Sequence, residues 1–445
     1  MRLRAYSILT VLIITSGLVL RPCEAFAQQM SVHDQIMADH GKAGGVYFVG
    51  KQFSSVSEGN DRKPLTKAPK GYKAFYISHY GRHGARYLYK EEQNEKVVGL
   101  LSKAHESGVL TQYGEDVFNR VMAHYEKTRY REGDLTELGW LQHETIAKEI
   151  WRSYPTVFKA RPHIDAKSTM IQRCIMSMNA FCGGLKAMDP KLPIPQTASR
   201  AYLDELNPHA PENPYYQKPE MEAGRSKRLD PWGGTLKEYT KAKVDIDGIC
   251  SRIFADKAWL KENRSPMSFC TDLYNFVLNM QDSDTGVDLM DVFTDEDLWA
   301  LWQVDNYMYF VESGPASSRD IPALEAIIKA ADEAVTAGKP AVRLRFGHDS
   351  VTCSLLSYIG ANGWNEIPVD ADHIAQQWQN FQVPMAATIV MAFYKRAKDG
   401  DPVLMKVTLN GEEVSLPLES VSGPYYKWED FKAMCEKVIE EKKEK

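Results

Sequence analysis

The sequence lacks the patterns that usually mark a metalloprotein. None of its cysteines forms a CxxC pair, no HExxH motif occurs, and no His/Cys pair has the spacing of zinc ligands. Such motifs supply the ligands of many structural and catalytic zinc sites. We therefore expect no metal site.

The sequence also lacks a long block of like charge. Its 445 residues have a formal net charge of -5, and the dense charged stretch at the C-terminus, Glu440–Lys445, mixes both signs. Domains that bind nucleic acid are typically basic or carry basic patches. We expect no nucleic-acid partner, so any anionic ligand must be held by a local group of side chains.

Only one stretch, Ala5–Leu20, is a candidate for membrane insertion, and polar residues interrupt it. It is shorter than the roughly 20 apolar residues that a spanning helix needs. Arg2 and Arg4 precede it, and Ala25-Phe26-Ala27 follows as a small-x-small cleavage site, which is typical of a signal peptide. We expect cleavage near Ala27 and export of the mature protein to the periplasm or the medium, with no stable membrane insertion.

The cysteines of so long a chain are not the framework of a small disulfide-rich protein. Seven are present, and removal of the signal peptide leaves six. The sequence does not determine whether these six form disulfides or remain buried thiols. Cys23 would be the acceptor of a lipoprotein anchor, but the preceding Arg21 and Pro22 disfavour that alternative.

Strands and helices alternate along two separated parts of the chain and predict a discontinuous α/β core. Ala74–Tyr80 has the aromatic and branched content of a buried strand, and Ala341–Gly347 alternates apolar and basic residues. Residues 193–322 instead combine Pro-, Tyr- and Trp-rich loops with amphipathic stretches, which predicts a mainly helical insertion. The predicted division is a signal peptide at 1–27, a core at 28–192 and 323–445, and an inserted domain at 193–322.

Several shorter elements complete this prediction. Helical spacing covers 90–107, begins again near Thr136, and continues at 350–358. A third helix should follow Ser168 or Thr169, either of which can cap it. Further strands are predicted at 163–166 and 386–394, with a hairpin that turns at Asn410-Gly411.

The first motif whose residues could bind a ligand or catalyse a reaction contains Arg82, His83 and Arg86 and follows the strand Ala74–Tyr80. Open α/β sheets place their ligand crevices at the carboxyl ends of strands. Two guanidinium groups can hold phosphoryl oxygens while an imidazole nitrogen faces phosphorus, and Gly84 permits a close approach. Taken alone, the string is equally compatible with a basic surface turn.

The second motif, His348-Asp349, ends the strand Ala341–Gly347 where a helix is predicted to begin. A helix N-terminus favours an anion, the imidazole can donate to a phosphate oxygen, and the carboxylic acid can protonate a departing alkoxide. The alternative is that Asp349 only caps the helix. Arg173, in the first turns of another predicted helix, is weak evidence by itself.

Together these residues resemble the histidine acid phosphatases, branch two of the histidine phosphatase superfamily. That family carries RHGxRxP near its N-terminus and His-Asp or His-Ala-Glu near its C-terminus, as at Arg82–Arg86 and His348-Asp349 here. Leu135–Gln142 resembles its LTxxGxxQ segment, and Ser168–Phe181 resembles the segment with its third phosphate-binding arginine. Trp378–Ala387 resembles the multiple inositol polyphosphate phosphatase group.

The resemblance implies an α/β fold with a mixed central sheet flanked by helices and a mainly helical inserted cap. It implies a phosphoric monoester hydrolase without a cofactor, acting on small phosphate esters such as phytate and other inositol polyphosphates. The residue roles that it implies are a nucleophile that becomes phosphohistidine, a proton donor and a phosphate-binding set, namely His83, Asp349, and Arg82, Arg86, Arg173 and His348.

The chain departs from the family pattern at two positions. Leu88 stands where the first motif usually has proline, and His348-Asp349-Ser350 replaces the His-Ala-Glu of the inositol polyphosphate group. Asp349 is therefore the only acid in the second motif, which leaves positional specificity on an inositol ring open. Extra cations for a polyphosphate could come from Lys90, Arg225, Lys227 and Arg228, although ordinary surface charge is the alternative for each.

Other functions remain possible from the sequence. The chain could be an acid phosphatase of broad specificity for sugar or other small phosphate esters. It could also be a phosphomutase, which the signal peptide and the insertion disfavour, or a protein that binds phosphorylated ligands without cleaving them. Its oligomeric state is not determined.

Overall fold

The computed structural model describes residues 30–50, 64–211, 213, 232–397 and 400–443. The expected signal peptide, Cys23, Arg225, Lys227 and Arg228 lie outside these ranges. Within them, no helix is both long enough and apolar enough to cross a bilayer.

The strands of these ranges belong to one mixed sheet. In chain order they are β1 Lys73–Arg82, β2 His163–Ser168, β3 Gln196–Ala198, β4 Ala341–Gly347, β5 Thr388–Lys395, β6 Leu404–Leu409, β7 Glu412–Glu413 and β8 Tyr426–Lys427. Their order across the sheet is β3-β2-β4-β1-β5-β6-β7, and β8 pairs with β6. Strands β1 to β4 run parallel, whereas β5 is antiparallel to β1 and β6 to β5.

The helices are numbered here in chain order. Before the third strand they are α1 Val32–Ala38, α2 Glu91–Glu106, α3 Gln112–Thr128, α4 Glu137–Ser153, α5 Pro155–Lys159 and α6 Gln172–Met188. Between β3 and β4 they are α7 Leu203–Leu206, α8 Leu236–Lys243, α9 Ile246–Ile253, α10 Lys257–Asn263, α11 Pro266–Asn279, α12 Asp295–Ser313 and α13 Ile321–Ala337. After β4 they are α14 Asp349–Ile359, α15 Ile374–Gln377 and α16 Trp428–Lys443.

Helices cover both faces of the sheet, so its central strand β1 is buried on both sides. Every residue of β1 after Lys73 is buried, as expected for a strand at the centre of a parallel region. Helices α4, α5 and α6 pack on one face, and α13, α14 and α16 pack on the other. The predicted α/β fold with a mixed sheet is therefore confirmed.

A third apolar cluster forms the helical cap beside the sheet. It joins α9, α11 and the first half of α12 with α2 and α3, which precede the predicted insertion in sequence. The sequence analysis identified α2 but not α3. The predicted domain boundaries remain a prediction. The cap cluster contains helices from both sides of the boundary predicted at residue 193.

Most local predictions agree with the structure, and one is wrong. Thr136 caps α4 by accepting a hydrogen bond from the Gly139 N–H, and Asn410 and Gly411 both have positive φ, as a type I′ turn requires. Neither Ser168 nor Thr169 caps α6. That helix begins at Gln172, and the backbone of Ile171 occupies the cap position without a side-chain hydrogen bond.

Candidate active site

Both motifs lie along one edge of the sheet, the edge at which the neighbouring parallel strands β1 and β4 end. Because β1 and β4 are parallel neighbours, Arg82 pairs with Gly347, so His83 and His348 leave the sheet side by side. Their ring centroids are 5.9 Å apart. The segment before the antiparallel β5 reaches the same edge, where Arg82 N–H donates to the Ala387 carbonyl at 2.8 Å. Three segments that are distant in sequence therefore converge there.

His83 is held with one ring nitrogen available to react. Its Nδ1 lies 2.9 Å from the Gly84 carbonyl, which can only accept, so Nδ1 carries the proton and Nε2 carries the lone pair. Burial, and then the positive charges of Arg173 and Arg82, hold the pKa of His83 well below its ordinary value. The imidazole is therefore neutral and can act as a nucleophile even in mild acid.

Arg82 lies behind the cavity and does not line it. Its Nη1 donates to the Val46 carbonyl and, at 3.1 Å, to the Val383 carbonyl. Its Nη2 lies 2.8 Å from Asp349 Oδ2. This fully buried guanidinium therefore orients Asp349 and contributes positive charge from beneath the site.

Arg86 lies in the cavity wall between the core and the cap. Its guanidinium carbon is 5.3 Å from the centre of the Tyr47 ring. The end of α11 holds its backbone, because Asn279 Nδ2 donates to the Arg86 carbonyl at 3.1 Å and Arg86 N–H donates to Asp282 at 3.5 Å. The cap thus fixes the position of a predicted phosphate ligand.

Arg173 reaches the same cavity from the first turn of α6. Ser177, one turn later, connects this helix to the loop that carries His83: its hydroxyl donates to the Arg173 carbonyl at 2.7 Å and accepts from the Gly84 N–H at 3.0 Å. His348 lies nearby, and burial together with Arg173 lowers its pKa to about 3. A neutral His348 can still donate one hydrogen bond to a phosphate oxygen.

Asp349 is the first residue of α14 and is not its N-cap. His348 takes that position without a side-chain cap. Burial favours the neutral acid, but Arg82 and then His348 oppose it and hold the pKa of Asp349 below its ordinary value. Capping alone therefore does not account for this carboxyl, which faces the cavity beside both histidines.

The segment Leu135–Gln142 packs against the loop that carries His83. Thr136 donates to the Ala85 carbonyl through both its backbone N–H and its hydroxyl, and Gln142 Oε1 accepts from the Ala85 N–H at 2.9 Å. Gly139 lies so close that a Cβ built on Gly84 would be 2.5 Å from its carbonyl oxygen. This segment, singled out in the sequence only by resemblance, holds the loop in place.

The cavity has a volume of about 1010 Å³ and lies between the sheet edge and the cap. Five of the six predicted site residues line it, namely His83, Arg86, Arg173, His348 and Asp349. Its far wall carries cations that the sequence analysis did not select, namely Lys96, Lys237 and Arg264. Lys90 occupies the N-cap position of α2 without a side-chain hydrogen bond, and it is not among the lining residues.

Sequence reasoning also missed three residues around the arginines. Tyr47 belongs to a 3-10 segment, His40–Tyr47, in a stretch where the sequence analysis predicted no helix or strand. Asp282 and Asp305 come from the cap, and isolated carboxylates in an irregular helical stretch carry no motif. Within the described ranges, no group of three or more His, Cys, Asp or Glu side chains is placed to hold a metal ion.

Solved structures share this architecture. A multiple inositol polyphosphate phosphatase from Bifidobacterium longum, in complex with inositol hexasulfate, matches with a TM-score of 0.70 and 16% identity over 88% of this chain and 97% of its own. The D. castellii phytase matches with a TM-score of 0.64 and 13% identity, over 95% and 89% of the two chains. Hafnia alvei phytase in complex with myo-inositol hexakis sulphate gives 0.56 and 14%, over 84% and 99%.

At these identities the similarity establishes the fold. A search of curated proteins found no significant match. The sequence model described as "Histidine phosphatase superfamily (branch 2)", however, matches residues 81–410, which is most of the chain and includes both basic motifs. The chain therefore belongs to branch 2 of the histidine phosphatase superfamily and is a phosphoric monoester hydrolase.

Proposed function

We propose that the protein hydrolyses inositol polyphosphates such as phytate through a phosphohistidine formed on His83. The observation that carries the proposal is the position of His83, which lines the cavity together with Arg86 and Arg173 while its Nδ1 lies 2.9 Å from the Gly84 carbonyl, so that Nε2 is left to react. Phosphoryl transfer requires mainly positioning and charge stabilisation, which a fixed cluster of cations can supply.

In the first step, His83 Nε2 attacks phosphorus and the bond from phosphorus to the ester oxygen breaks. Arg86, Arg173 and His348 hold the phosphoryl oxygens, and Arg82 adds positive charge from beneath. Asp349 gives its proton to the departing oxygen, which leaves as an alcohol. In the second step, water attacks the phosphohistidine, Asp349 recovers a proton from that water, and His83 and inorganic phosphate are released.

Asp349 must carry a proton to act as the acid. Because Arg82 holds its pKa below the ordinary range, the protonated fraction of the free enzyme rises only as the pH falls. A bound phosphate dianion would oppose the effect of Arg82 and favour the protonated form. We therefore expect an acidic pH optimum.

The size of the cavity and the cations of its cap wall favour a substrate with several phosphates. While one phosphate occupies the site beside His83, the ring and its other phosphates must occupy the rest of the cavity of about 1010 Å³. Lys96 pairs with Glu92 at 2.8 Å, Arg264 pairs with Asp272, and Lys237 is exposed on the same wall. These cations are additional candidate ligands of the phosphates that are not being cleaved. Of the four cations predicted from the sequence, Lys90 does not line the cavity, and Arg225, Lys227 and Arg228 lie outside the described residues.

Residues 1–27 support a further proposal, which is export of the mature enzyme after cleavage near Ala27. Mass spectrometry of protein from the culture medium and the periplasm, compared with cell lysate, tests it. A mature N-terminus at Gln28 is expected in one of the exported fractions, and an uncleaved chain confined to the lysate would contradict the proposal.

Phosphate release from phytate and from p-nitrophenyl phosphate, measured between about pH 3 and 7, tests the catalytic proposal. His83→Ala should abolish release, whereas His163→Ala, at the exposed far end of β2, should behave as wild type. Asp349→Asn should slow phytate by about 10²-fold or more and p-nitrophenyl phosphate much less, because a nitrophenolate leaves without a proton.

Three outcomes would contradict parts of the proposal. Full activity of His83→Ala would exclude His83 as the nucleophile, and equal losses of Asp349→Asn on both substrates would exclude Asp349 as the acid. Turnover of p-nitrophenyl phosphate and simple sugar phosphates without turnover of phytate would instead support an acid phosphatase of broad specificity.

A further inference from the structure

Two cysteines of the cap face each other across a helix pair. Cys250 on α9 and Cys270 on α11 have their Sγ atoms 3.7 Å apart. Both side chains are buried in the apolar cluster of the cap. Cys182 and Cys435, which are also buried, have no thiol neighbour within the described ranges.

We propose that Cys250 and Cys270 form a disulfide that joins α9 to α11 in the mature protein. A disulfide bond is about 2.05 Å long, so the sulfurs must approach by less than 2 Å, which small rotations of the two side chains can provide. The Cys270 thiol, hydrogen-bonded to Cys250, lowers the pKa of Cys250, so Cys250 is the thiol that ionises first.

The chemistry requires an oxidant, and the compartment proposed for this protein contains one. The Cys250 thiolate attacks a disulfide of a thiol–disulfide oxidoreductase or of oxidised glutathione and displaces one thiolate. Cys270 then attacks the mixed disulfide and displaces the second. The two cysteines lose two protons and two electrons, and the oxidant is reduced to a pair of thiols. Exported proteins encounter such oxidants, whereas cytosolic proteins are kept reduced.

The position of the pair connects it to the active site. Helix α11 lines the cavity with Ser268, Thr271 and Asn275, and Asn279 at its end holds the Arg86 carbonyl. A bond at Cys270 would fix the first half of this helix against α9 and so restrain the cavity wall. The disulfide is independent of which phosphate ester is cleaved.

The experiment treats the purified full-length mature protein with oxidised glutathione and maps its peptides by mass spectrometry without reduction. A linked pair of peptides containing Cys250 and Cys270 is expected, with two fewer titratable thiols than in the reduced protein. Dithiothreitol should restore those thiols and lower the Tm by several degrees, since the crosslink restricts the unfolded chain.

Variants separate this bond from general effects of reduction. Cys250→Ser and Cys270→Ala should each lose the linked peptide and the Tm response to dithiothreitol, whereas Cys182→Ser should retain both. Six free thiols in the oxidised wild-type protein, or linkage of Cys250 to any other cysteine, would overturn the proposal. Because peptide mapping uses the wild-type chain, poor folding of a variant does not affect the outcome.

Discussion

The close packing of Gly139 against the loop that carries His83 leads to a specific prediction about catalysis. A Cβ at this position would lie 2.2 Å from the Ala85 carbonyl oxygen and 2.8 Å from the Ala85 nitrogen. Both neighbours are backbone atoms, so no side-chain rotation can relieve the overlap. Gly139→Ala must therefore move α4 away from the loop that carries His83.

The size of the effect follows from these distances. The contact must open by about 0.8 Å to reach 3.0 Å, the lower limit for real Cβ contacts. Overpacking of this kind costs about 1–3 kcal/mol of stability, which a chain of this size can tolerate. A misplacement of about 1 Å at a reacting group can cost about 10²-fold in rate, so we expect kcat to fall about 10²-fold in a folded protein.

The assay compares kcat for p-nitrophenyl phosphate with thermal unfolding for Gly139→Ala and a matched control. Gly183 lies in the exposed face of α6, and a Cβ there would meet nothing within 4 Å. Gly183→Ala should keep full activity and gain up to about 1 kcal/mol of stability, since alanine is the better helix former. Wild-type kcat in Gly139→Ala would refute the inference that this contact positions the loop.

Three further predictions concern pH and metals. Burial raises the pKa of Asp305 to about 7 and that of Asp282 to about 8, so both carboxyls ionise near neutrality and add negative charge near the proposed phosphate site. The value of kcat/KM, which already decreases as Asp349 loses its proton, should therefore decrease further above about pH 7, and less steeply in Asp305→Asn. Burial lowers the pKa values of His79 and His143 from 6.5 to about 3, so between these pH values the unfolded chain binds more protons than the folded protein. The free energy of unfolding, measured by urea titration, should therefore decrease below pH 6.5 by up to about 1.4 kcal/mol per histidine and pH unit. Activity should persist in EDTA, and a loss that added metal reverses would contradict catalysis by protein cations alone.

The sequence predicted the sheet edge well because local patterns determine it. The alternation of Ala341–Gly347 places one apolar row inward, and parallel pairing with β1 then brings both histidines together without further information. The same reasoning located His83, His348 and Asp349. Arg173 was assigned to the site only by resemblance. Neither Ser168 nor Thr169 is the N-cap residue of α6, and nothing in the helix pattern directs that arginine to the site.

The cap was less predictable because its contribution depends on tertiary packing. Asp282 contacts Arg86 across nearly 200 residues of chain. Tyr47 contacts Arg86 from a segment without periodicity, where two glycines permit an irregular turn. Such contacts leave no local trace in a single sequence, and the same limit explains why Lys96, Lys237 and Arg264 were not selected.

Leu88 shows how this chain holds the loop with His83 and Arg86 without the proline usual in the motif. A proline stiffens a loop through its own ring, because the ring fixes φ. Leu88 is instead buried in the apolar cluster of the cap, and its carbonyl accepts a hydrogen bond from the Gly133 N–H at 2.8 Å. The cap thus supplies from outside the restraint that proline would supply within the loop. Asn279 and Asp282 also hold the Arg86 backbone from the cap, so we expect any movement of the cap relative to the sheet to alter the spacing between Arg86 and His83.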